Sequence, residues 1–134
     1  MTDELPTDRF YTADHEWVLL ASATDLPSTE PVRVGITRLA TESLGDLVFL
    51  DLPEVGTTIE VGQACGEVES TKTVSELFPP VSGQVAAINQ IAMDDPALIS
   101  TDPYEQGWLF TVHAISAGEL LTAAEYALKN GISE

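Results

Sequence analysis

Lysine is the side chain on which an acyl group can be held as a stable amide, and this chain has two, Lys72 and Lys129. Lys129 falls in the last turn of a C-terminal helical pattern, where a cation stabilises the negative end of the helix dipole by roughly 0.3–1 kcal/mol. Lys72 has no such role. It stands in Ser70-Thr71-Lys72-Thr73, between two acidic strand-like runs, where exposed ion pairing contributes only about 0–1 kcal/mol. By itself this is an ordinary solvated surface lysine; an amine at a turn between rigid strands also suits an acylating enzyme, because the four-carbon stem reaches away from the core while its base is held.

The other residues capable of chemistry point elsewhere. His15, at the entry to a strand, and His113, at a strand end, have no partner at metal-ligand spacing and read as structural or solvated. Cys65 is the single cysteine, so no intramolecular disulfide or Cys-based zinc site can form, and without a basic neighbour it reads as a small hydrophobe. Trp17, Trp108, Tyr104 and Phe49 read as core and corner residues. There is no Gly-rich phosphate loop and no Gly-x-Ser-x-Gly elbow.

The elements that must position Lys72 are strands. Apolar residues recur with period two between frequent turn residues, which predicts short strands closing a small sandwich or barrel. His15–Leu20 and Pro31–Gly35 form a first pair around a polar loop, Ala23–Glu30, whose composition asks for no packing. Thr37 caps a short helix to Leu44, stopped by Gly45. In ACGEVES, Val68 faces one way and Glu67 and Glu69 the other; after the STKT interruption Val74 and Glu76 oppose Ser75 and Leu77 until Pro79 and Pro80 end the run. This is a hairpin with Lys72 at or beside its tip. The echo between PEVGTTI (53–59) and PPVSGQV (79–85) suggests a symmetric pair of sheets. Ser116 and Glu119 form a capping box for a C-terminal helix over 116–131, whose apolar face is Leu120, Ala123, Ala124, Ala127 and Leu128, packed on one domain spanning 1–134.

Composition bounds the partners. With 5 basic and 22 acidic residues the formal charge is −17, which repels nucleic acid and anionic membranes and favours a soluble monomer steered toward basic partners. The N-terminal MTDELPTDRF resembles neither a signal nor a transit peptide, and no apolar run approaches the roughly 20 residues that span a bilayer. A cytoplasmic location is expected, or the mitochondrial matrix for a processed eukaryotic chain.

Around the lysine, GEVESTKTVSELFPPVSGQVAAIN (66–89) resembles the attachment hairpin of glycine cleavage H proteins. HEWV (15–18), VGIT (34–37), LGDLVFLDLPEVG (44–56) and DPYEQGWL (102–109) resemble other landmarks of that family in its order. The departures are mild: RLATES after Thr37, and Ser100 where Asn is common. The resemblance implies a mainly β barrel-sandwich hybrid with a short internal helix and a C-terminal helix. It implies lipoate on Lys72 as N6-lipoyllysine, with Glu69, three residues earlier, in recognition of the attachment motif. It also implies that Asp14, Glu16 and Glu76 line a cleft for the loaded arm, where carboxylates would hold a cationic aminomethyl group. The chain would then be a non-catalytic carrier. Glycine decarboxylase would load it, aminomethyltransferase unload it, dihydrolipoamide dehydrogenase reoxidise it, and a lipoate ligase or octanoyltransferase acylate it.

Three other readings use the same residues. A lipoyl relay to 2-oxoacid dehydrogenases needs the same Lys72. A biotinyl carrier uses a similar hairpin but usually flanks the lysine with methionines, where Thr71 and Thr73 stand here. An unmodified interaction module would make Lys72 ordinary.

Overall fold

The computed structural model describes residues 5–22 and 24–131; the start of the N-terminal segment and Ala23, at the head of the polar loop, lie outside them. Among the described residues the alternating segments form two antiparallel sheets. The larger orders β1 (Phe10–Tyr11), β2 (Glu16–Val18), β3 (Val32–Ile36), β9 (Phe110–Ala117), β8 (Val81–Ile88) and β5 (Thr58–Ile59). The smaller orders β4 (Leu47–Asp51), β6 (Gly66–Ser70) and β7 (Val74–Leu77). Four short helices join them: α1 (Arg38–Leu44), α2 (Gln90–Asp94), α3 (Ala97–Thr101) and α4 (Ala123–Lys129).

The alternation explains what is inside. Val34, Ile36, Val81, Val85, Phe110 and Val112 of the large sheet meet Leu47, Leu50, Val68 and Leu77 of the small one in a single buried cluster. Each such side chain contributes roughly 1.5–3 kcal/mol on burial. The small sheet is therefore a lid on the large one, and its hairpin rests on a packed floor.

A second cluster joins Tyr11, Trp17, Leu121, Ala123, Tyr126 and Ala127. Trp17 is fully buried, and its indole N–H donates to the carbonyls of Ile36 (3.0 Å) and Pro103 (3.1 Å). Gly35 leaves room for the ring, since a Cβ there would lie 2.4 Å from it. Arg9, also buried, sits 4.6 Å over the Trp17 ring and donates to the Tyr104 carbonyl at 2.8 Å. The HEWV, VGIT and DPYEQGWL segments thus converge on one indole.

The structure corrects the sequence at several points. The C-terminal helix begins at Ala123, not near 116, and is capped by Thr122 and Glu125, which make a reciprocal capping box. Two Ser/Thr-x-x-Glu boxes lie in this stretch, and the first, Ser116 with Glu119, loses because β9 keeps Ser116 paired with Ser82. The face α4 buries is Ala123, Tyr126 and Ala127, while Leu128 is exposed.

His113 lies within β9, not at its end. The two sheets are unequal, and the internal echo places β5 and β8 side by side in one sheet, with Thr58 opposite Gln84. The polar loop is also packed: Ser28 exchanges hydrogen bonds with Ala114. Phe49 is exposed rather than core.

Tyr126 fixes α4 to the sheet through its hydroxyl, 2.7 Å from His15 Nδ1 and 2.8 Å from Thr37 Oγ1, with its ring stacked on Tyr11. Thr37 Oγ1 also accepts the Ala40 N–H that opens α1. Replacing Tyr126 with Phe removes one hydrogen bond from the buried Thr37 hydroxyl, which keeps the Ala40 N–H, and one from the half-buried His15, so unfolding free energy should drop by about 1–2 kcal/mol. Urea unfolding checks this: the midpoint should fall with the slope unchanged.

Candidate functional site

Pairing of Glu69 with Val74 leaves Ser70 and Thr73 to close the β6–β7 hairpin, so Thr71 and Lys72 are its two loop residues. Loops of that length usually take turns with φ above zero, supplied by Gly or Asn. Here neither residue has positive φ. The buried Ser70 supplies the geometry instead: its hydroxyl accepts the Lys72 N–H at 3.2 Å and the Thr73 N–H at 3.1 Å. A short polar side chain bonding the backbone two and three residues on is a common way to hold a tight turn. The Ser70 N–H donates to the Thr73 carbonyl (2.8 Å), and the Thr71 N–H donates to the Asp46 carbonyl (3.0 Å), tying the tip to the end of α1.

The side chain above this clamp is exposed and makes no hydrogen bond or ion pair among the described residues. Its stem passes Gly45, whose φ of +87° favours glycine and where an added Cβ would lie 3.7 Å from Lys72 Cε. Lys72 therefore presents an unpaired amine on a fixed base. Lys129 sits in the last turn of α4, as its helix-end role requires.

The carboxylates named from the sequence divide between two places. Asp14 and Glu16 lie together in the turn 12–16, where Thr12 Oγ1 accepts both of their N–H groups and His15 takes a positive φ of 66°. Asp14 is exposed and borders a cavity of about 210 Å³ with Phe78, Pro79, Glu119 and Lys129. Glu16 is buried and faces a separate small void with Val34, Cys65, Leu77, Leu109 and Phe110. One carboxyl oxygen accepts the Phe78 N–H at 2.8 Å, and the other has no hydrogen-bond partner among the described residues. Glu69 and Glu76 lie instead on the outer face of the small sheet, Glu69 between Phe49 and Val74, and Glu76 opposite Glu67.

Glu16 is costly in either state. As an anion it is desolvated with a single N–H for support; as an acid its unpartnered oxygen carries an unsatisfied proton or lone pair. Burial, reinforced by the nearby Asp14 charge, pushes its carboxyl well above the usual range despite the Phe78 hydrogen bond. Burial also lowers His15, against the pull of Asp14, and pushes the half-buried Cys65 thiol up to about 12.

Sequence reasoning missed Ser70 and the Asp46 carbonyl as holders of the tip, and Phe78 as the partner of Glu16. The signal for Ser70 was available in the polar run STKT, where no glycine is present to make the turn. The other two depend on tertiary approach and leave no local trace.

The Glu16 shift has a testable sign. A native pKa above the unfolded value of 4.5 means the folded chain holds more protons from that pH upward. The stability this contributes is present in full below 4.5 and is lost as pH rises through the folded value. Glu16→Gln keeps an acceptor for Phe78 and cannot ionise. Relative to the parent, its melting temperature should therefore rise as pH increases from 4.5 and level off once pH has passed the folded value; a constant difference across a series from pH 4.5 upward would contradict the assignment.

The model of the family described as glycine cleavage H-protein matches residues 9–130. A glycine cleavage system H protein of Corynebacterium aurimucosum is 52% identical over 128 residues, covering 96% of this chain and 97% of its own. Another, from Corynebacterium jeikeium, is 51% identical over 126 residues, covering 94% and 97%. The crystal structure of a glycine cleavage system H protein from Mycobacterium marinum superposes with a TM-score of 0.92 at 58% identity, covering 96% of this chain and all of the other.

Proposed function

This chain belongs to the glycine cleavage H-protein family, and on that premise we propose that Lys72 is the residue that carries its lipoyl group. The chain is a lipoyl carrier in glycine cleavage, a non-catalytic subunit. The observation that supports Lys72 is an exposed amine without a partner, held over a turn whose backbone is pinned by Ser70 and Asp46.

The residues at the tip suit the attachment. Acylation removes the ammonium charge, and since no carboxylate among the described residues pairs with Lys72, no ion pair among them is broken when that charge goes. Gly45, favoured there by its positive φ, lies beside the stem without crowding it. When bound, the lipoyl group supplies a disulfide that can be opened to carry an aminomethyl group and later closed again by oxidation. Everything else asked of this chain is to present the arm and to shelter its load.

For the shelter we propose Asp14 and Glu16. The unpartnered Glu16 oxygen is a buried acceptor lacking a donor, and a protonated amine would supply one while favouring the carboxylate form. Asp14, two residues away on the rim of the cavity beside Phe78, adds a second negative charge close to Glu16. Glu76, on the outer face of the small sheet roughly 13 Å of strand beyond Lys72, would meet the arm apart from that pair. Glu69, exposed one residue before the turn, serves recognition by the acylating enzyme.

The partners we propose are glycine decarboxylase, aminomethyltransferase and dihydrolipoamide dehydrogenase, with a lipoate ligase or octanoyltransferase acting first. A formal charge of −17 suits enzymes with basic active-site rims. A cytoplasmic setting agrees with the bacterial relatives.

Lys72→Arg separates charge from attachment. Arg keeps a long cation at an exposed turn, so stability should change by no more than about 0.5 kcal/mol, yet its guanidinium stays protonated and cannot be acylated. Intact mass after incubation with lipoate, ATP and a lipoate–protein ligase should show no lipoyl group on this variant. Lys129→Arg should accept one lipoyl group like the parent, and an acylated Lys72→Arg chain would defeat the proposal.

A further inference from the structure

The outer face of the small sheet is built from residues that a free surface does not favour. Phe49, Glu69 and Val74 stand in one row across β4, β6 and β7, and Phe49 and Val74 are 55% and 52% exposed. Beside them Val48 is 49% exposed, because the register of β4 against β6 shifts between Leu47 and Phe49 and leaves Val48 as the extra residue. A bulge of this kind re-aims a side chain. A single exposed apolar residue means nothing, but three at adjoining positions form a patch that favours being covered.

Below that row runs another, Asp51, Glu67 and Glu76, three carboxylates in consecutive register. Like charges directly opposite one another are destabilising, and no Lys or Arg lies on these three strands to offset them. Lys72 at the tip is the nearest cation in sequence to Glu67 and Glu76. The face therefore fits a partner with an apolar centre and a cationic rim.

Reach decides which partner. Enzymes that act on a carried group meet the far end of an arm and need not approach its root. The enzyme that acylates Lys72 must enclose the Nζ atom itself, on a stem of roughly 6 Å, and Val74 is only two residues, about 7 Å of strand, from Lys72. We propose that this face, through Val48, Phe49 and Val74 with the Asp51, Glu67 and Glu76 row beside them, is where the acylating enzyme docks.

The proposal rests on the Lys72 reading. In the step served, the neutral Nζ forms a C–N bond to the carbonyl carbon of an activated acyl group. The bond from that carbon to the activating phosphate breaks, the phosphate leaves with the electron pair, and the nitrogen releases a proton.

The test compares the full-length parent with Phe49→Ser/Val74→Ser, using initial rates of lipoylation by a purified lipoate–protein ligase with lipoate and ATP. The variant should lose at least tenfold in kcat/KM, mainly through KM, yet reach one lipoyl group per chain by mass at long times. The same variant, once lipoylated, should support exchange of the glycine carboxyl carbon by glycine decarboxylase within twofold of the parent. Val74→Arg, which sets a cation on the face, should show the same split, and keeps the test usable if the double variant folds poorly. Unchanged lipoylation, or equal loss in both reactions, would overturn the docking assignment while leaving Lys72 as carrier. A parent chain that takes up no lipoyl group would overturn both.

Discussion

A side chain handed between active sites must be loose at its end and fixed at its base, and the Ser70 hydroxyl meets the second requirement. It holds the backbone N–H groups of Lys72 and Thr73 from a buried position, so the turn closes without a glycine. Beneath it, Val68 and Leu77 tie the hairpin to the core shared by both sheets, and the Asp46 carbonyl ties its tip to the end of α1. The amine gains freedom because its backbone has little.

The charges follow the same division of labour. Arg9 is sealed over Trp17, and Arg38 is spent on the carbonyls of Ser100 and Thr101 at the end of α3. Lys72 pairs with no carboxylate among the described residues. Its solvation therefore changes on acylation without rearranging a network. Glu16 is the reverse case, a buried carboxyl with one N–H where two or three would satisfy it. Such a group destabilises the empty fold and favours whatever donor completes it.

Much of this was legible in the sequence, for physical reasons. Period-two alternation with clear turn residues gives β6 and β7 one register that buries Val68 and Leu77 and exposes Glu67, Glu69, Val74 and Glu76, because a one-residue slip would reverse every face. Thr37 and Gly45 bracket α1 because capping is local chemistry. The C-terminal helix was misplaced because two capping boxes compete over 116–125, and the choice between them is made by β8, more than thirty residues away. Phe49 was read as core because the bulge that turns it outward leaves no mark in a strand's composition. The burial of Glu16 depends on Phe78, sixty-two residues further on, which no local pattern carries.

The central claim is that one of two lysines bears the arm. Peptide mapping by tandem mass spectrometry of the parent chain, lipoylated to completion, tests it without altering a residue. The account predicts one lipoyl amide per chain, located on Lys72, with Lys129 unmodified. A lipoyl group on Lys129, or an unmodified Lys72 in a chain whose mass shows acylation, would contradict it.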